Sequence, residues 1–251
     1  MECINSCLDI FDEILIVDGG TDDGSFDLLL KDSRIRILER KWSDDADWKF
    51  LTDQYNFGLQ NLTTDWRIKM DSDYCFHEND IEQIKNLFKH DVIGYTFEKC
   101  CFNLVDRFRQ KTKILLAVNM KMNPNTFVNE KDQFQVGDKI MYDTDYLTSG
   151  VKLYVYDQIF KTKENIDKAI YKFAKAAYNK YGIEWGHESE ESAIEYIVNL
   201  SRAKVDNYPQ KVISIDEHPK YMKEKIKDMT EEMFGYSLFG YKTATYFMGE
   251  N

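Results

Sequence analysis

Two aspartates separated by one residue, Asp71 and Asp73, close the stretch Trp66 to Asp73, WRIKMDSD. Carboxylates are hard oxygen donors, and a pair of them suits a divalent cation, Mg²⁺ or Mn²⁺, that substrate phosphates also hold. Ile68 and Met70 alternate with polar neighbours, so the stretch reads as a strand. Side chains two apart on a strand point the same way. A strand ending at Asp73 aims both acids off its carboxyl edge, where open α/β sheets bind ligands. The competing reading is a chance Asp-x-Asp in a loop, because 44 of the 251 residues are acidic. A second acid-bearing stretch begins at Asp18, which ends the short apolar run Ile14 to Val17. Gly19 and Gly20 after it let backbone come close to a ligand, or turn the chain from strand to helix. The residues from Gly19 to Ser25 form a turn cluster, in which Gly24 and Ser25 read as plain turn residues.

The elements that must position these acids can be read from apolar spacing. Cys3, Ile4, Cys7, Leu8 and Phe11 stand at helical spacing over residues 2 to 11. Ile14 to Val17 is expected to be a strand covered on both faces, as in a parallel sheet. A helix through Phe26, Leu29 and Leu30 follows, then a strand over residues 34 to 42, a loop over 43 to 50 and a helix from Phe50 to Leu62. After the acid-bearing strand comes a helix from Glu78 to Phe88. Strands alternating with helices indicate a Rossmann-like half, with Asp18 and Asp71 at one edge of one sheet.

The second half differs in texture. VIGYTF and ILLAV, within residues 92 to 118, flank a basic segment. Residues 119 to 138 show little periodicity and read as a loop. KIMYDTDYLTSGVKLYVYDQIF reads as a hairpin-like pair turning at Thr148-Ser149-Gly150. Helices are expected over 164 to 180, 188 to 202 and 219 to 233. With no repeat or low-complexity linker and only three prolines, the chain is expected to be one domain over residues 1–251. Its parts are a Rossmann-like half (1–91), a second half of different texture (92–162) and a helical C-terminal part (163–251).

Composition excludes several classes of function. A net charge of −11 argues against broad binding to nucleic acid or anionic membranes, which needs basic patches. Five cysteines without a CxxC pair suggest neither a disulfide framework nor a zinc site, so a reducing, cytoplasmic location is expected. No apolar run approaches the ~20 residues of a transmembrane segment, and the N-terminus lacks a signal-peptide pattern. His77, His90, His187 and His218 show no metal or triad spacing and read as structural or surface groups.

Four segments in order over roughly the first 75 residues carry a resemblance: VDGGTDDGS (17–25), ILERKW (37–42), DQYNFGL (53–59) and DWRIKMDSD (65–73). Together they resemble the nucleotide-sugar half of an inverting glycosyltransferase of family 2. DQIFKTKENIDKAI, WGHESEESAIEYIVNL and HPKYMKEKI resemble, more loosely, the C-terminal part of some members. The resemblance implies an α/β GT-A fold, a Rossmann-like mixed sheet flanked by helices with a helical C-terminal part. It implies a UDP- or GDP-linked sugar donor, a glycan, lipid or protein acceptor, and Mn²⁺ or Mg²⁺. It places Asp18 near the base or ribose, with Gly19 and Gly20 lining the nucleotide pocket. It turns Asp71 toward the ribose or metal-bound water and gives Asp73 the metal that bridges the diphosphate. Arg40, Lys41 and Lys69 are phosphate partners or solvated charges.

The resemblance also implies a general base from the second half, where a carboxylate takes the acceptor hydroxyl proton. Asp132 is the residue chosen, with Glu130 and Asp138 in the same region. Related enzymes often carry a late histidine that completes the metal shell. Asp157, at the end of LYVYD, stands at the matching place as a metal ligand or as a turn cap. Three departures stand out. Tyr55 occupies the place of the family's usual arginine, the turn reads GGTDD, and the first helix is not preceded by the family's first strand. An edge left open beside Ile14–Val17 leads to the expectation of weak nucleotide binding, or of cover by another segment or subunit. Two rival readings are a GT-A-like nucleotidyltransferase, whose Gly-rich basic loop is not visible, and a truncated, non-catalytic binding module.

Overall fold

Cys7 and Ile10 turn inward from the first helical stretch, whose regular part is α1, Glu2–Leu8. The computed structural model describes residues 1–22, 24, 29, 32–42, 48–129, 133–141, 146–156, 159, 163–182, 187–207 and 210–229. Two units divide the chain. One comprises Met1–Lys99 with Thr112–Leu153, the other Cys100–Lys111 with the chain from Tyr154 onward.

In the first unit, β1 (Ile14–Asp18) and β2 (Ile35–Glu39) pair in parallel as a two-stranded sheet, with Ile14 opposite Ile35 and Asp18 opposite Glu39. Helix α2 (Trp48–Asn61) follows. Gly58 lets it approach β1, since a Cβ there would meet Val17 Cγ2 at 3.1 Å. The expected acid-bearing strand is short: β3 spans Trp66–Ile68, and β4, Tyr74–Phe76, begins after a turn. A 3₁₀ turn (Glu78–Asp80) leads into α3 (Ile81–Leu87), whose Ile84 is fully buried.

VIGYTF and ILLAV lie within two much longer strands, β5 (Gly94–Leu104) and β6 (Arg107–Asn119). The apolar runs mark only the most buried parts, and backbone pairing carries the strands on through the basic segment. In place of the expected loop over 119–138 there is a small antiparallel sheet of β7 (Thr126–Val128), β8 (Phe134–Val136) and β9 (Lys139–Ile140). Strands this short carry too few residues to show a period. Val128, Phe134 and Met141 nevertheless join Leu59, Leu115, Val118 and Tyr146 in one buried cluster.

The expected turn at Thr148-Ser149-Gly150 is absent, because residues 147–155 form one strand, β10 (Leu147–Val155). Gly150 does adopt a positive φ of 72°, and the Val151 N–H bonds the Ser149 hydroxyl at 3.0 Å. The irregularity is therefore absorbed as a kink inside the strand. In this unit the strands run β4-β10-β5-β6, with β3 antiparallel to the end of β6. The Rossmann-like expectation thus holds for β1 and β2. Asp18 and Asp71, expected at one edge of one sheet, are placed differently: Asp18 ends β1, and Asp71 lies in the turn between β3 and β4, strands of another sheet.

In the second unit β5 turns into β6 at Val105-Asp106, and β11 (Lys211–Val212) adds to β6. Helices α4 (Lys163–Tyr181) and α5 (Glu190–Asn207) pair through Ala174 and Ala177 against Ile194, small residues that permit close approach. Helix α6, Lys220–Lys227, buries Met222 and Ile226. Just before it His218 is fully buried, with Nε2 2.7 Å from the Val105 carbonyl and Nδ1 2.8 Å from the Tyr156 hydroxyl. A carbonyl only accepts, so Nε2 carries the proton and Nδ1 accepts from Tyr156. The ring also packs on Phe102 at 4.8 Å, and Phe102 stacks on Tyr156 at the same distance.

This network predicts that His218→Ala costs about 3 kcal/mol in chemical denaturation, through the cavity and two orphaned polar groups. Tyr156→Phe is expected to cost about 1 kcal/mol, one neutral hydrogen bond. A loss below ~1 kcal/mol for His218→Ala would show that other packing holds this unit.

Candidate functional site: an acid-bearing turn

After β3 the Lys69 N–H still bonds the Leu116 carbonyl at 3.1 Å, and then the chain leaves the sheet. The Tyr74 N–H returns to the Asp71 carbonyl at 3.1 Å, closing a four-residue turn over Asp71-Ser72-Asp73-Tyr74. The Cys3 thiol reaches the same carbonyl at 3.4 Å. Asp71 and Asp73 are therefore the first and third residues of a tight turn, not alternate residues of a strand, and both are half-buried. The strand after the turn is its anchor. Tyr74, Cys75 and Phe76 are all buried, and the Phe76 N–H bonds the buried Ser6 hydroxyl at 3.2 Å.

Asp71 is held by a phenol: the Tyr55 hydroxyl donates to its Oδ1 at 2.6 Å. Lys69 Nζ stands 4.1 Å from the centre of the Tyr55 ring. Lys99 Nζ lies 4.3 Å from the centre of the Tyr74 ring and donates to its hydroxyl. Burial, followed by the charge and hydrogen bond of Asp71 and the charge of Asp73, holds the Tyr74 phenol well above its ordinary pKa. Tyr74 therefore remains protonated.

Helix α2 explains much of the DQYNFGL segment in physical terms. Asn56 pairs with β7 as a backbone group would, donating to the Val128 carbonyl at 2.8 Å and accepting from the Val128 N–H at 2.7 Å. Gly58 admits Val17 and Leu59 enters the core, while Tyr55 faces Asp71.

Asp18 is 6% exposed at the end of β1, and its carboxylate closes its own turn. Oδ2 accepts from the N–H groups of Gly20 at 2.8 Å and Thr21 at 3.0 Å, while Oδ1 accepts from the Thr21 hydroxyl at 2.5 Å. Removal from water pushes its pKa up. The Thr21 hydroxyl and the N–H groups of Thr21, Gly20 and Gly19 outweigh that and leave it below the ordinary carboxylate value. Gly20 has a φ of 117°, a conformation that L side chains rarely adopt. Gly19 is required for another reason. A Cβ there would fall inside the Trp42 indole, while the Trp42 backbone N–H bonds the Gly19 carbonyl at 2.9 Å. Arg40 donates from Nη1 to the Asp53 carbonyl at 2.6 Å and lies 5.2 Å from the Phe57 ring centre, which gives it a structural occupation. Lys41 is exposed.

The remaining expected residues are placed differently. Asp132 and Glu130 lie outside the described residues, between Asn129 and Gln133, whose backbones bond each other at 2.8 Å. Asp138 is exposed in the turn between β8 and β9. Asp157 also lies outside the described residues. Among the described residues no group of three or more His, Cys, Asp or Glu could hold a metal. Two carboxylates on one turn still fit Mg²⁺ or Mn²⁺, which take one or two protein carboxylates and complete their shell with water and substrate phosphates.

Tyr55, Tyr74 and Lys99 were not found from the sequence. Only the tyrosine standing where an arginine is usual gave a signal, and Lys99 lies on another strand, with nothing local to mark it.

The family model for glycosyl transferase family 2 matches residues 1–150. No curated protein matches the chain closely enough to count as a relative. Among the described residues no helix is long and apolar enough to cross a membrane.

The lowered pKa of Asp18 fixes a pH dependence. Its contribution to stability is fully present above the unfolded-state pKa of about 3.9 and is lost as pH falls through the lower folded value. Asp18→Asn is expected to destabilise the protein at pH 7 and to flatten the fall in melting temperature below about pH 4. Equal acid sensitivity in both proteins would show that the turn does not depend on this carboxylate.

Proposed function

The chain belongs to glycosyltransferase family 2, and on that premise we propose that it transfers a sugar from a nucleoside-diphosphate sugar to an acceptor hydroxyl, with inversion at the sugar carbon. Its mixed α/β architecture is consistent with a GT-A-like domain of that family. One observation carries the reading. Asp71 and Asp73 share a hydrogen-bonded turn within the matched region, with buried β4 behind them.

In this proposal Asp71 and Asp73 hold Mn²⁺ or Mg²⁺, and Asp71 also faces the donor ribose. The ion, when bound, offsets the negative charge that builds on the departing nucleoside diphosphate. Gly19 and Gly20 give the donor access to backbone, and Asp18 serves the nucleotide by holding that turn in shape. Asp132 is proposed as the base that takes the acceptor proton, and Asp157 as a further oxygen ligand. The donor is a UDP- or GDP-linked sugar, and the acceptor a glycan, lipid or protein hydroxyl.

A panel of labelled UDP- and GDP-sugars with Mn²⁺ tests the reading through transfer or slow hydrolysis. A chelator should abolish turnover, and added Mn²⁺ or Mg²⁺ should restore it. Asp73→Asn should lower turnover about a hundredfold or more while the fold persists, because an amide carries no charge to hold the cation. Near-normal turnover by that variant would remove the acid pair from the mechanism. No turnover of any sugar nucleotide by the wild-type protein would return the chain to a binding role.

A further inference from the structure

A carboxylate that must face a cation or a ribose gains from being held in one orientation before the ligand arrives. Asp71 is held from several sides. Its carbonyl is fixed by the Tyr74 N–H and the Cys3 thiol, and its carboxylate by the hydroxyl of Tyr55. The Tyr55 bond, at 2.6 Å, lies in the range of a charge-assisted O–H···O⁻ bond.

A lysine stands behind this phenol. Lys69 sits over the Tyr55 ring, where a cation draws electron density from the ring and strengthens its hydroxyl as a donor. All these residues belong to one unit of the chain.

We propose that Tyr55 is a positioning residue that clamps the Asp71 carboxylate, with Lys69 polarising its phenol. The inference rests on the reading of Asp71 and Asp73 as the cation and donor site. The clamp sets the direction of the Asp71 oxygens and reduces the freedom lost when ligand binds. It also moderates the negative charge of a turn that holds two carboxylates separated by one residue.

The test is Tyr55→Phe, which keeps the ring and its lysine and removes only the hydroxyl. Mn²⁺ binding is read by electron paramagnetic resonance, alone and with UDP or GDP. The variant should need about tenfold more Mn²⁺ for half-saturation, the scale expected of a group that orients a ligand, with its melting temperature unchanged.

Unchanged Mn²⁺ binding by Tyr55→Phe, with normal binding by wild type, overturns the clamp and leaves the proposed function standing. Weakened binding accompanied by a fall in melting temperature as large as that of Leu59→Ala overturns it too, and makes Tyr55 a packing residue. Absence of Mn²⁺ binding by the wild-type protein overturns the cation site and the clamp together.

Discussion

Three consecutive buried residues, Tyr74, Cys75 and Phe76, are the constraint on which the first unit depends. A strand with every side chain buried must be covered on both faces. Here α1 lies against it, with Phe11 and Phe76 in edge contact at 6.1 Å, and Phe97 of β5 meets Phe76 at 5.7 Å. Burial fixes the strand in place, and the turn before it inherits that rigidity. Two carboxylates can then remain near water while their backbone is held by packing. Burial also pushes the Cys75 thiol up to about 12, which makes it an inert packing group.

The charge arrangement fits the same plan. The chain carries 44 acidic against 33 basic residues, yet Lys69 stands over Tyr55, the phenol that holds Asp71, and Lys99 stands by Tyr74 at the end of the same turn. Elsewhere the acids serve local geometry. Asp18 closes a turn, Asp32 accepts from Arg34, and Glu217 completes a capping box with Ser214. A strongly acidic composition therefore conceals distinct uses of the same carboxylate group. The environment of each one separates them.

The family, and with it the class of fold, were legible because residues 17–25, 37–42, 53–59 and 65–73 each combine a local pattern with a fixed order. Apolar spacing placed α1, α2, α3 and the C-terminal helices. It failed where an element is too short to show a period, as in β7, β8 and β9. It failed again where a turn-like triplet, Thr148-Ser149-Gly150, lies inside a strand held by its neighbours. The acids of the turn were found by type and spacing, although the geometry that joins them is a backbone turn and not strand alternation. Their supporting residues were not found, since Tyr55 and Lys99 reach Asp71 and Tyr74 from other elements. Contacts between distant segments leave no local mark in a sequence.

Gly19 and Trp42 illustrate a consequence of such long-range contact for inheritance. The indole fills the volume that any Cβ at position 19 would need. A change at one of these positions is therefore conditional on the other: loss of the indole releases the glycine from its steric constraint, whereas retention of the indole forbids a larger residue. Descendants of this chain are expected to lose the glycine only once the indole has gone, so that geometry sets the order in which the two positions can change.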